Sequence, residues 1–273
     1  MIDKGNNQTI IPQNKQEFKL NCGNLTWDEK GKYFKILNNK NFKIKKLTSC
    51  QDTYKDYEPF FKVAHEFYKH GHDDPYGHIG FNSWGKDKKD CYKEDYLPIK
   101  SQIVGEFFDT WEIIIKYIKK NNLKEITFLE IGAYNGLWGL MLSYIGKKLN
   151  IPYKYTGIDF NLTKEKRKNL SKLIEDSNCT IINADSHDPN TLKYIKDKYN
   201  IVFIDGDHSY EGVTSDIKMY SKLATDMVLF HDITSKDTVY KAINDSKIKL
   251  DEEISYQTER NHMGIGIKYI KNA

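Results

Sequence analysis

Short apolar runs alternate with amphipathic runs from about residue 101 to the end of the chain. The apolar runs are bulky and continuous, as in residues 199–205, which is typical of strands buried on both faces of a sheet. The runs between them place apolar residues three and four apart, as with Val104, Phe107 and Trp111, and this spacing predicts helices with one buried face. The predicted strands cover residues 125–130, 153–159, 180–185, 199–205 and 227–230. The predicted helices cover residues 101–120, 137–145, 163–175, 190–198, 210–223 and 236–245, and a closing hairpin covers residues 254–257 and 264–270.

This order of elements indicates an α/β domain. When strands and helices alternate along a chain, the strands pair in parallel and the helices cover both faces of the sheet. With the closing hairpin included, the sheet has seven strands. The predicted fold is therefore a Rossmann-like, seven-stranded and mostly parallel sheet with helices on both faces, formed by residues 101–273.

Residues 1–100 have a different pattern and are predicted to form a small α+β lobe, a substrate lobe or lid over the ligand end of the sheet. The first fifteen residues are expected to be a loose tail. Strand-like patterns at residues 33–37 and 42–47 flank an Asn-rich turn and predict a hairpin. Apolar residues at helical spacing follow at residues 54–68. Residues 71–100 are rich in glycine and aromatic residues, which is typical of a long functional loop rather than of disorder.

Charge and cysteine content narrow the classes of function. The chain has 42 Lys and Arg against 38 Asp and Glu, so its formal net charge is only +4. No face or block concentrates the lysines, which argues against nucleic-acid binding. No apolar run reaches the length of a membrane span, and the N-terminus has no apolar signal segment. The four cysteines are far apart with no C-x-x-C pair, which favours a reducing, cytoplasmic location. The pattern leaves open whether the protein is a homo-oligomer.

A glycine turn follows the first strand of the predicted sheet. Residues 126–136 read Ile-Thr-Phe-Leu-Glu-Ile-Gly-Ala-Tyr-Asn-Gly, so Glu130 precedes Gly132, and Gly136 lies four residues further on. Dinucleotide-binding folds use G-x-G-x-x-G, because a pyrophosphate lies against the helix N-terminus, and the different spacing here excludes a nicotinamide dehydrogenase. The E-x-G-x-x-x-G pattern resembles motif I of class I S-adenosylmethionine (SAM) methyltransferases. In that setting the glycines let the backbone lie against the methionine part of SAM, and the acid suits a cationic ligand.

Acidic residues end the first four strands of the predicted sheet, and they are Glu130, Asp159, Asp185 and Asp205. In open α/β sheets ligands bind beyond the carboxyl ends of the strands, so we expect these acids to surround one ligand. With SAM as that ligand, Glu130 and the backbone of residues 132–136 are expected to hold the methionine end.

The remaining cofactor contacts follow from the same chemistry. Asp159 is expected to accept hydrogen bonds from the ribose hydroxyls. Asp185, together with Ser186, is expected to take the adenine amino group. Tyr134 lies inside the glycine turn and is expected beside the cofactor and within reach of the acceptor. Asp205 completes the predicted cofactor-binding set.

The most specific stretch is Phe-Ile-Asp-Gly-Asp-His-Ser-Tyr-Glu-Gly-Val at residues 203–213. Its D-G-D-H-S-Y-E-G core resembles the signature of a subgroup of class I methyltransferases. That subgroup is related to the cephalosporin-hydroxylase-like enzymes and to metal-dependent O-methyltransferases that act on sugars of antibiotics and surface glycans. The resemblance covers about residues 101–270. It implies that His208 is the general base, with Asp205 or Asp207 holding its imidazole in the required tautomer.

The resemblance also implies a divalent cation, Mg²⁺ or Mn²⁺, bound by Asp205, His231 and Asp232. The sequence departs from the pattern at His231, because the relatives usually have two acids, or an acid and an amide, after strand five. Histidine accepts softer cations more readily than Mg²⁺, so the ion could be Mn²⁺ or Fe²⁺. Alternatively His231 orients the substrate, or the site holds no metal. A further alternative is a ligand pair made of Asp205 and Asp207.

A loop in the N-terminal lobe is rich in aromatic and ligand-type residues. Aromatic faces can stack on sugar rings while histidines read hydroxyl groups, so the predicted acceptor pocket contains His72, Tyr76, His78 and Trp84. A zinc site is the competing interpretation, although the spacing matches no zinc signature. That site would use His70, His72, Asp73, Asp74 and His78.

The predicted function is SAM-dependent methylation of a hydroxyl on a small molecule, a sugar or sugar nucleotide of the surface (capsule) polysaccharide or natural-product type. One alternative is metal-independent methylation of another nucleophile, such as an amine or a phosphate-type group. A second alternative is a SAM-binding regulator that has lost catalysis.

Overall fold

The computed structural model describes residues 7–10, 34–37, 104–160, 170, 173, 176–195, 197–234, 236–257 and 262–270. The chain divides into two compact units. One unit contains residues 1–112 and 252–264, and the other contains residues 113–251 and 265–273. The predicted domain boundary near residue 100 lies outside the described residues, as do the predicted elements at 42–47 and 54–68 and the loop at 71–100.

The first unit contains a two-stranded antiparallel sheet near the start of the chain. Strand β1 (Asn7–Ile10) pairs with strand β2 (Phe34–Leu37), so that Asn7 lies opposite Leu37. The strand at residues 34–37 agrees with the prediction. The expectation of a loose tail over the first fifteen residues is wrong at residues 7–10, because this segment pairs with a strand that is distant in sequence.

The alternation predicted from residue 101 onwards is found in the structure. The strands are β3 (Ile126–Ile131), β4 (Tyr153–Asp159), β5 (Cys179–Asn183), β6 (Tyr199–Ile204), β7 (Ala224–Phe230), β8 (Glu252–Gln257) and β9 (His262–Tyr269). The helices are α1 (Val104–Asn121), α2 (Leu137–Leu149), α3 (Tyr210–Tyr220) and α4 (Asp237–Asp245), with 3₁₀ segments at Pro189–Tyr194 and Ser221–Leu223. Among the described helices, none combines the length and apolar character that a membrane crossing requires.

The seven-stranded sheet has the order β5-β4-β3-β6-β7-β9-β8. Strands β3 to β7 pair in parallel, whereas β9 runs antiparallel to β7, with Phe230 opposite Gly266. The predicted Rossmann-like fold is therefore confirmed. The chain leaves β3 towards β4 and β5 on one side and returns to β6 on the other. A crevice forms at such a reversal, beyond the carboxyl ends of β3 and β6, and ligands of open α/β sheets bind there.

Aromatic packing fixes helix α2 against the sheet. The ring centroids of Trp138 and Phe203 lie 4.5 Å apart, and those of Phe128 and Trp138 lie 6.1 Å apart. All three side chains are buried. A side chain at Gly139 would meet the ring of Tyr155, so a glycine at that position allows the helix to approach the sheet closely. This packing holds the N-terminus of α2, and the glycine turn before it, at the carboxyl edge of the sheet.

A polar network joins three strands at the opposite, amino edge. The side-chain oxygen of Asn200 accepts a hydrogen bond of 2.8 Å from the backbone N–H of Thr127, and its amide nitrogen donates to Asp226 at 2.8 Å. The hydroxyl of Tyr117 on α1 also donates to Asp226, at 3.1 Å. These bonds tie β3, β6 and β7 together at the edge opposite the expected ligand site.

One predicted helix differs from the observed element, and another is described only in part. The segment predicted as a helix at residues 190–198 contains only a 3₁₀ segment, Pro189–Tyr194, which begins where the side chain of Asp188 accepts a hydrogen bond from the backbone N–H of Asn190. Strand β6 begins at Tyr199, so a helix over the whole predicted range would enter the strand without a connecting loop. Of the helix predicted at residues 163–175, only Leu170 and Leu173 are described, and both are helical.

Candidate functional site

The glycine turn between β3 and α2 lies against the loop after β6. Gly132 and Gly136 have φ values of +89° and +77°, a left-handed conformation that favours glycine. A Cβ atom on Gly132 would collide with the backbone carbonyl oxygen of Asp205. Tyr134 also has a positive φ, 44°, and its side chain is partly exposed at the edge of the sheet. The turn therefore depends on glycine both for its conformation and for the closeness of the two loops.

Asp159 connects the end of β4 to the glycine turn. One of its carboxylate oxygens accepts a hydrogen bond of 2.8 Å from the backbone N–H of Tyr134. The Asp159 side chain is nearly buried, whereas the next residue, Phe160, is largely exposed. Asp159 thus lies at the strand end where a ribose-binding acid was expected, and it also shapes the turn beside it.

Glu130 lies inside the sheet, beside the neighbouring strands. It is 2% exposed and lies opposite Gly157 of β4 and Phe203 of β6. The hydroxyl of Tyr155 donates a hydrogen bond to its carboxylate. Burial raises the pKa of Glu130 well above its usual range, and the hydrogen bond from Tyr155 only partly opposes this. Tyr155 was not identified from the sequence, because its position in β4 has no polar pattern that distinguishes it from a core residue.

The loop after β5 carries the residues expected to bind adenine. The side chain of Asp185 is 61% exposed and accepts a hydrogen bond of 2.9 Å from the backbone N–H of His187. The backbone carbonyl of Ser186 accepts a hydrogen bond of 2.6 Å from the hydroxyl of Tyr220. The loop is therefore shaped by its own acid and by helix α3.

Two histidines and two acids meet at the ends of β6 and β7. Oδ1 of Asp205 lies 2.9 Å from Nδ1 of His231 and 3.4 Å from Nε2 of His208. The same Nε2 of His208 lies 3.2 Å from Oδ2 of Asp232. Asp232 has a φ of 57°, a left-handed conformation that is uncommon outside glycine and often marks functional positions. The predicted catalytic and metal-binding residues are thus close together.

The electrostatics of this cluster favour an ionised Asp205 beside a protonated His208. Burial alone would raise the pKa of Asp205, but His231 and His208 together hold that pKa below its usual value. The hydrogen bond with Asp205 raises the pKa of His208, against a smaller opposing effect of burial. The His208 side chain is 40% exposed, so it remains accessible to a substrate. An accessible imidazole with an increased proton affinity is suited to accept a proton.

Three of these side chains have the chemistry of a cation site. Asp205, His208 and Asp232 each offer one ligand atom, and the three atoms lie within 4.8 Å of one another. The donor set, two carboxylates and one imidazole, suits Mn²⁺ or Fe²⁺ better than Mg²⁺. This group contains His208 in place of His231. The side chain of His231 is buried and contacts Asp205 through Nδ1.

Asp207 has a different environment. Its carboxylate accepts hydrogen bonds from the backbone N–H of Ser209, at 2.8 Å, and from the Ser209 hydroxyl, at 2.6 Å. These bonds lower the pKa of Asp207. Ser209 in turn caps helix α3 by accepting a hydrogen bond from the backbone N–H of Gly212. Asp207 therefore shapes the start of α3, and it does not belong to the three-residue group.

The predicted acceptor pocket belongs to the N-terminal part of the chain. It lies outside the described residues, and its members are His72, Tyr76, His78 and Trp84.

A family model described as "Methyltransferase domain" matches residues 129–233, which is less than half of the chain. The match begins inside β3 and ends just after Asp232, so it contains the glycine turn and the histidine–aspartate cluster. No curated protein matches the chain.

Solved structures that resemble the chain include several methyltransferases. Aeropyrum pernix fibrillarin in complex with natively bound SAM is 13% identical over 53% of this chain and 66% of its own, with a TM-score of 0.42. M. capricolum TrmK in complex with S-adenosylhomocysteine is 12% identical over 54% of this chain and 63% of its own, with a TM-score of 0.41. The N-methyltransferase NodS from Bradyrhizobium japonicum WM9 is 12% identical over 60% of this chain and 96% of its own, also with a TM-score of 0.41.

The family match covers the central strands of the sheet. The match covers the strands whose carboxyl ends form the crevice, and the antiparallel β9 follows a run of parallel strands. Residues 129–233 are therefore similar to a methyltransferase domain, within a sheet of Rossmann-like order.

Proposed function

We propose that this protein transfers a methyl group from SAM to a hydroxyl oxygen of a small molecule, a sugar or sugar nucleotide, with His208 as the general base. The observation that carries the proposal is the position of His208. Its Nε2 lies between the carboxylates of Asp205 and Asp232, in the loop whose backbone packs against the glycine turn. A proton acceptor and the expected methionine end of the cofactor site are therefore neighbours.

SAM fits the residues at the carboxyl edge. The Gly132 turn lies directly against the loop that carries Asp205, and Asp159 occupies the strand end where ribose hydroxyls are expected. Bound SAM supplies an electrophilic methyl group on a positively charged sulfur, which becomes neutral S-adenosylhomocysteine when the methyl group leaves. Asp185 and Ser186 would take the adenine side of the ligand.

The residues around His208 account for the fate of the proton. As the acceptor oxygen forms its bond to the methyl carbon, the carbon–sulfur bond breaks and its electron pair stays on sulfur. The hydroxyl proton passes to Nδ1 of His208, because Nε2 of the neutral ring donates its own proton to the carboxylates. Asp205 and Asp232 stabilise the imidazolium that results, since each lies within 3.4 Å of Nε2.

A divalent cation would fit the same group. Asp205 and Asp232 would hold it, together with His231 or His208, and a cation there would lower the pKa of a hydroxyl bound to it. If His208 is a ligand, it is not free to act as the base, so the two roles compete.

The sugar acceptor rests on sequence resemblance. The D-G-D-H-S-Y-E-G segment is similar to that of enzymes that methylate sugar hydroxyls, and the expected pocket residues Tyr76 and Trp84 suit a sugar ring. Fold alone does not decide the substrate of a methyltransferase.

The test is a methyl-transfer assay with radiolabelled SAM and purified protein. The acceptor panel contains sugar nucleotides, simple alcohols, primary amines and transfer RNA, each with EDTA, Mg²⁺ or Mn²⁺. We expect label in a sugar nucleotide, with activity lost in EDTA and restored by Mn²⁺. Label only in an amine or RNA would replace the proposed acceptor, and full activity in EDTA would remove the metal. SAM binding without transfer to any acceptor would favour a regulator.

A further inference from the structure

Asp216 is a buried carboxylate that the proposed methyl transfer does not use. It lies on α3, and its side chain has no exposure to solvent. Within the described part of the chain, neither of its oxygens has a hydrogen-bond partner with good geometry. Because an unsatisfied buried acid is costly, its presence at this position calls for a specific role.

The groups beside Asp216 come from two loops at the carboxyl edge of the sheet. Its Oδ1 lies 3.6 Å from Nε2 of His187, in the loop after β5, and that nitrogen is also buried. A Cβ atom on Gly206, in the loop after β6, would lie 3.1 Å from Oδ2 of Asp216 and 3.8 Å from the hydroxyl oxygen of Ser186. The carboxylate thus occupies the point where the two loops meet.

A second side chain of α3 supports the same loop. Tyr220, four residues after Asp216 and so on the same face of the helix, donates its hydrogen bond to the carbonyl of Ser186. His187 also faces the other way, since its Nδ1 lies 3.8 Å from Oδ1 of Asp185. Its ring therefore lies between the buried acid on α3 and the exposed acid at the expected adenine position.

We propose that Asp216 is a positioning residue for cofactor affinity, which acts through His187 to hold residues 185–187 in the shape that receives adenine. This inference rests on the proposed function, because it concerns the same cofactor site. Asp216 does not touch the cofactor itself, since its oxygens are covered by protein. The contact behind Gly206 also sets the spacing between the adenine side and the loop that carries Asp205.

The charge properties of Asp216 agree with this role. Burial raises its pKa to about 6, and the Ser186 hydroxyl and the His187 ring oppose that effect. The nearby carboxylate of Asp207 raises the pKa of Asp216, whereas His187 lowers it. The loop therefore offsets part of the cost of burying the ionised form of Asp216.

Calorimetric titration with S-adenosylhomocysteine tests the inference, with methyl-transfer kinetics as a second readout. Asp216→Asn keeps the shape of the side chain and removes its charge. We expect about tenfold weaker binding, in the range that coupled neighbouring residues show, with kcat within about threefold of the unchanged protein. Glu211→Gln is the matched control, because it removes an acid from an exposed position on the same helix and should leave affinity unchanged.

His187→Gln provides a second variant that does not disturb the core, because the His187 side chain is 33% exposed. We expect it to weaken binding as Asp216→Asn does. The double variant should have the same affinity as the single variant that binds more weakly. Both changes break the same contact, the one between Asp216 and His187, so their effects should not add. If Asp216→Asn fails to fold, the affinity of His187→Gln decides the matter.

The possible outcomes separate this inference from the proposed function. If the unchanged protein binds S-adenosylhomocysteine and both variants bind within twofold of it, the inference is wrong and the proposed function stands. If affinity, kcat and melting temperature all fall together, Asp216 has a structural role only, which also overturns the inference. If the unchanged protein does not bind the ligand, both proposals fail.

Discussion

At the scale of single residues, His208 is the side chain on which the proposed chemistry most depends. The hydrogen bond with Asp205 raises its pKa, so the ring keeps its proton to a higher pH than a free histidine, whose pKa is ~6.5. In EDTA-treated protein, we expect an NMR titration of His208 to have its midpoint above that value. Since a base must be unprotonated, methyl transfer in the presence of Mn²⁺ should increase as the pH rises through the pKa of His208.

Replacement of His208 tests its role directly. We expect His208→Ala to reduce kcat by about 10²–10⁴-fold, the usual contribution of a general base, and to leave the affinity for S-adenosylhomocysteine within about threefold. Parallel kinetics and calorimetry measure both quantities. Turnover that is unchanged in this variant would clear His208 of the role, and a titration midpoint below that of free histidine would contradict the electrostatic argument.

Gly132 is a second position where a single substitution has a clear expected result. Gly132→Ala would place a methyl group against the carbonyl oxygen of Asp205, at a φ of +89° that side chains rarely adopt. We expect a loss of about 2–3 kcal/mol in the free energy of unfolding and a loss of cofactor binding. Urea denaturation and calorimetry measure the two effects. A variant with the stability and affinity of the original protein would mean that the two loops can separate freely.

At the scale of elements, Asp176 joins helix α2 to strand β4. Its carboxylate accepts hydrogen bonds from the hydroxyls of Tyr153, on β4, and of Ser143, on α2, and from the backbone N–H of Asn178. Burial raises its pKa, but these hydrogen bonds and Lys147 outweigh that effect and the net shift is downward. A group whose pKa falls on folding stabilises the folded state above its unfolded pKa, about 3.9 for aspartate, and this contribution is lost as the pH falls through the folded value.

Asp176→Asn should therefore destabilise the protein in a pH-dependent way. We expect a loss of about 2 kcal/mol in the free energy of unfolding at pH 7, because several hydrogen bonds to a charged group are weakened. The difference from the original protein should shrink below pH ~4 as Asp176 itself becomes protonated. Urea denaturation at several pH values measures this. Asp197→Asn, at an exposed position, is the control and should have no such dependence. If the two proteins differed by the same free energy of unfolding at every pH, the lowered pKa of Asp176 would be contradicted.

At the scale of the whole molecule, the sheet order places the expected cofactor residues on two sides of one crevice. Asp159 ends β4 and Asp185 follows β5, whereas Asp205 follows β6 on the other side of β3. A ligand that bridges this crevice stabilises the folded state by mass action. At 100 times its dissociation constant, S-adenosylhomocysteine should add about 2.7 kcal/mol to the free energy of unfolding.

This effect should be visible as a rise in melting temperature. For a protein of this length we expect an increase of roughly 5–10 °C with S-adenosylhomocysteine, from the usual shift of about 2–4 °C per kcal/mol. Differential scanning fluorimetry measures it, with NAD as the control. NAD should have no effect, because the glycine spacing does not suit a pyrophosphate. A rise in melting temperature with NAD and none with S-adenosylhomocysteine would contradict the proposal that the crevice binds SAM.

Some elements were predictable almost to the residue. The predicted strand at residues 153–159 has the observed bounds of β4, and α2 begins at Leu137 as expected. In both, the apolar pattern is strong and a glycine or a polar residue marks the end. The segment at residues 190–198 was not predictable, because its apolar residues fit a helix by spacing but the nearby strand β6 limits its length. The pairing of β1 with β2 was missed because it joins segments far apart in sequence.

The sequence by itself determined the order of strands and helices, the glycine turn and the acids at the strand ends. These features are local, since hydrophobic periodicity and the left-handed conformation of glycine act within a few residues. Only the tertiary structure decided which side chains meet. His208 contacts Asp232 because β6 and β7 are neighbours in the sheet, and Asp216 faces His187 because α3 packs beside the loop after β5. Partners of this kind depend on strand order and side-chain direction, which no short stretch of sequence encodes.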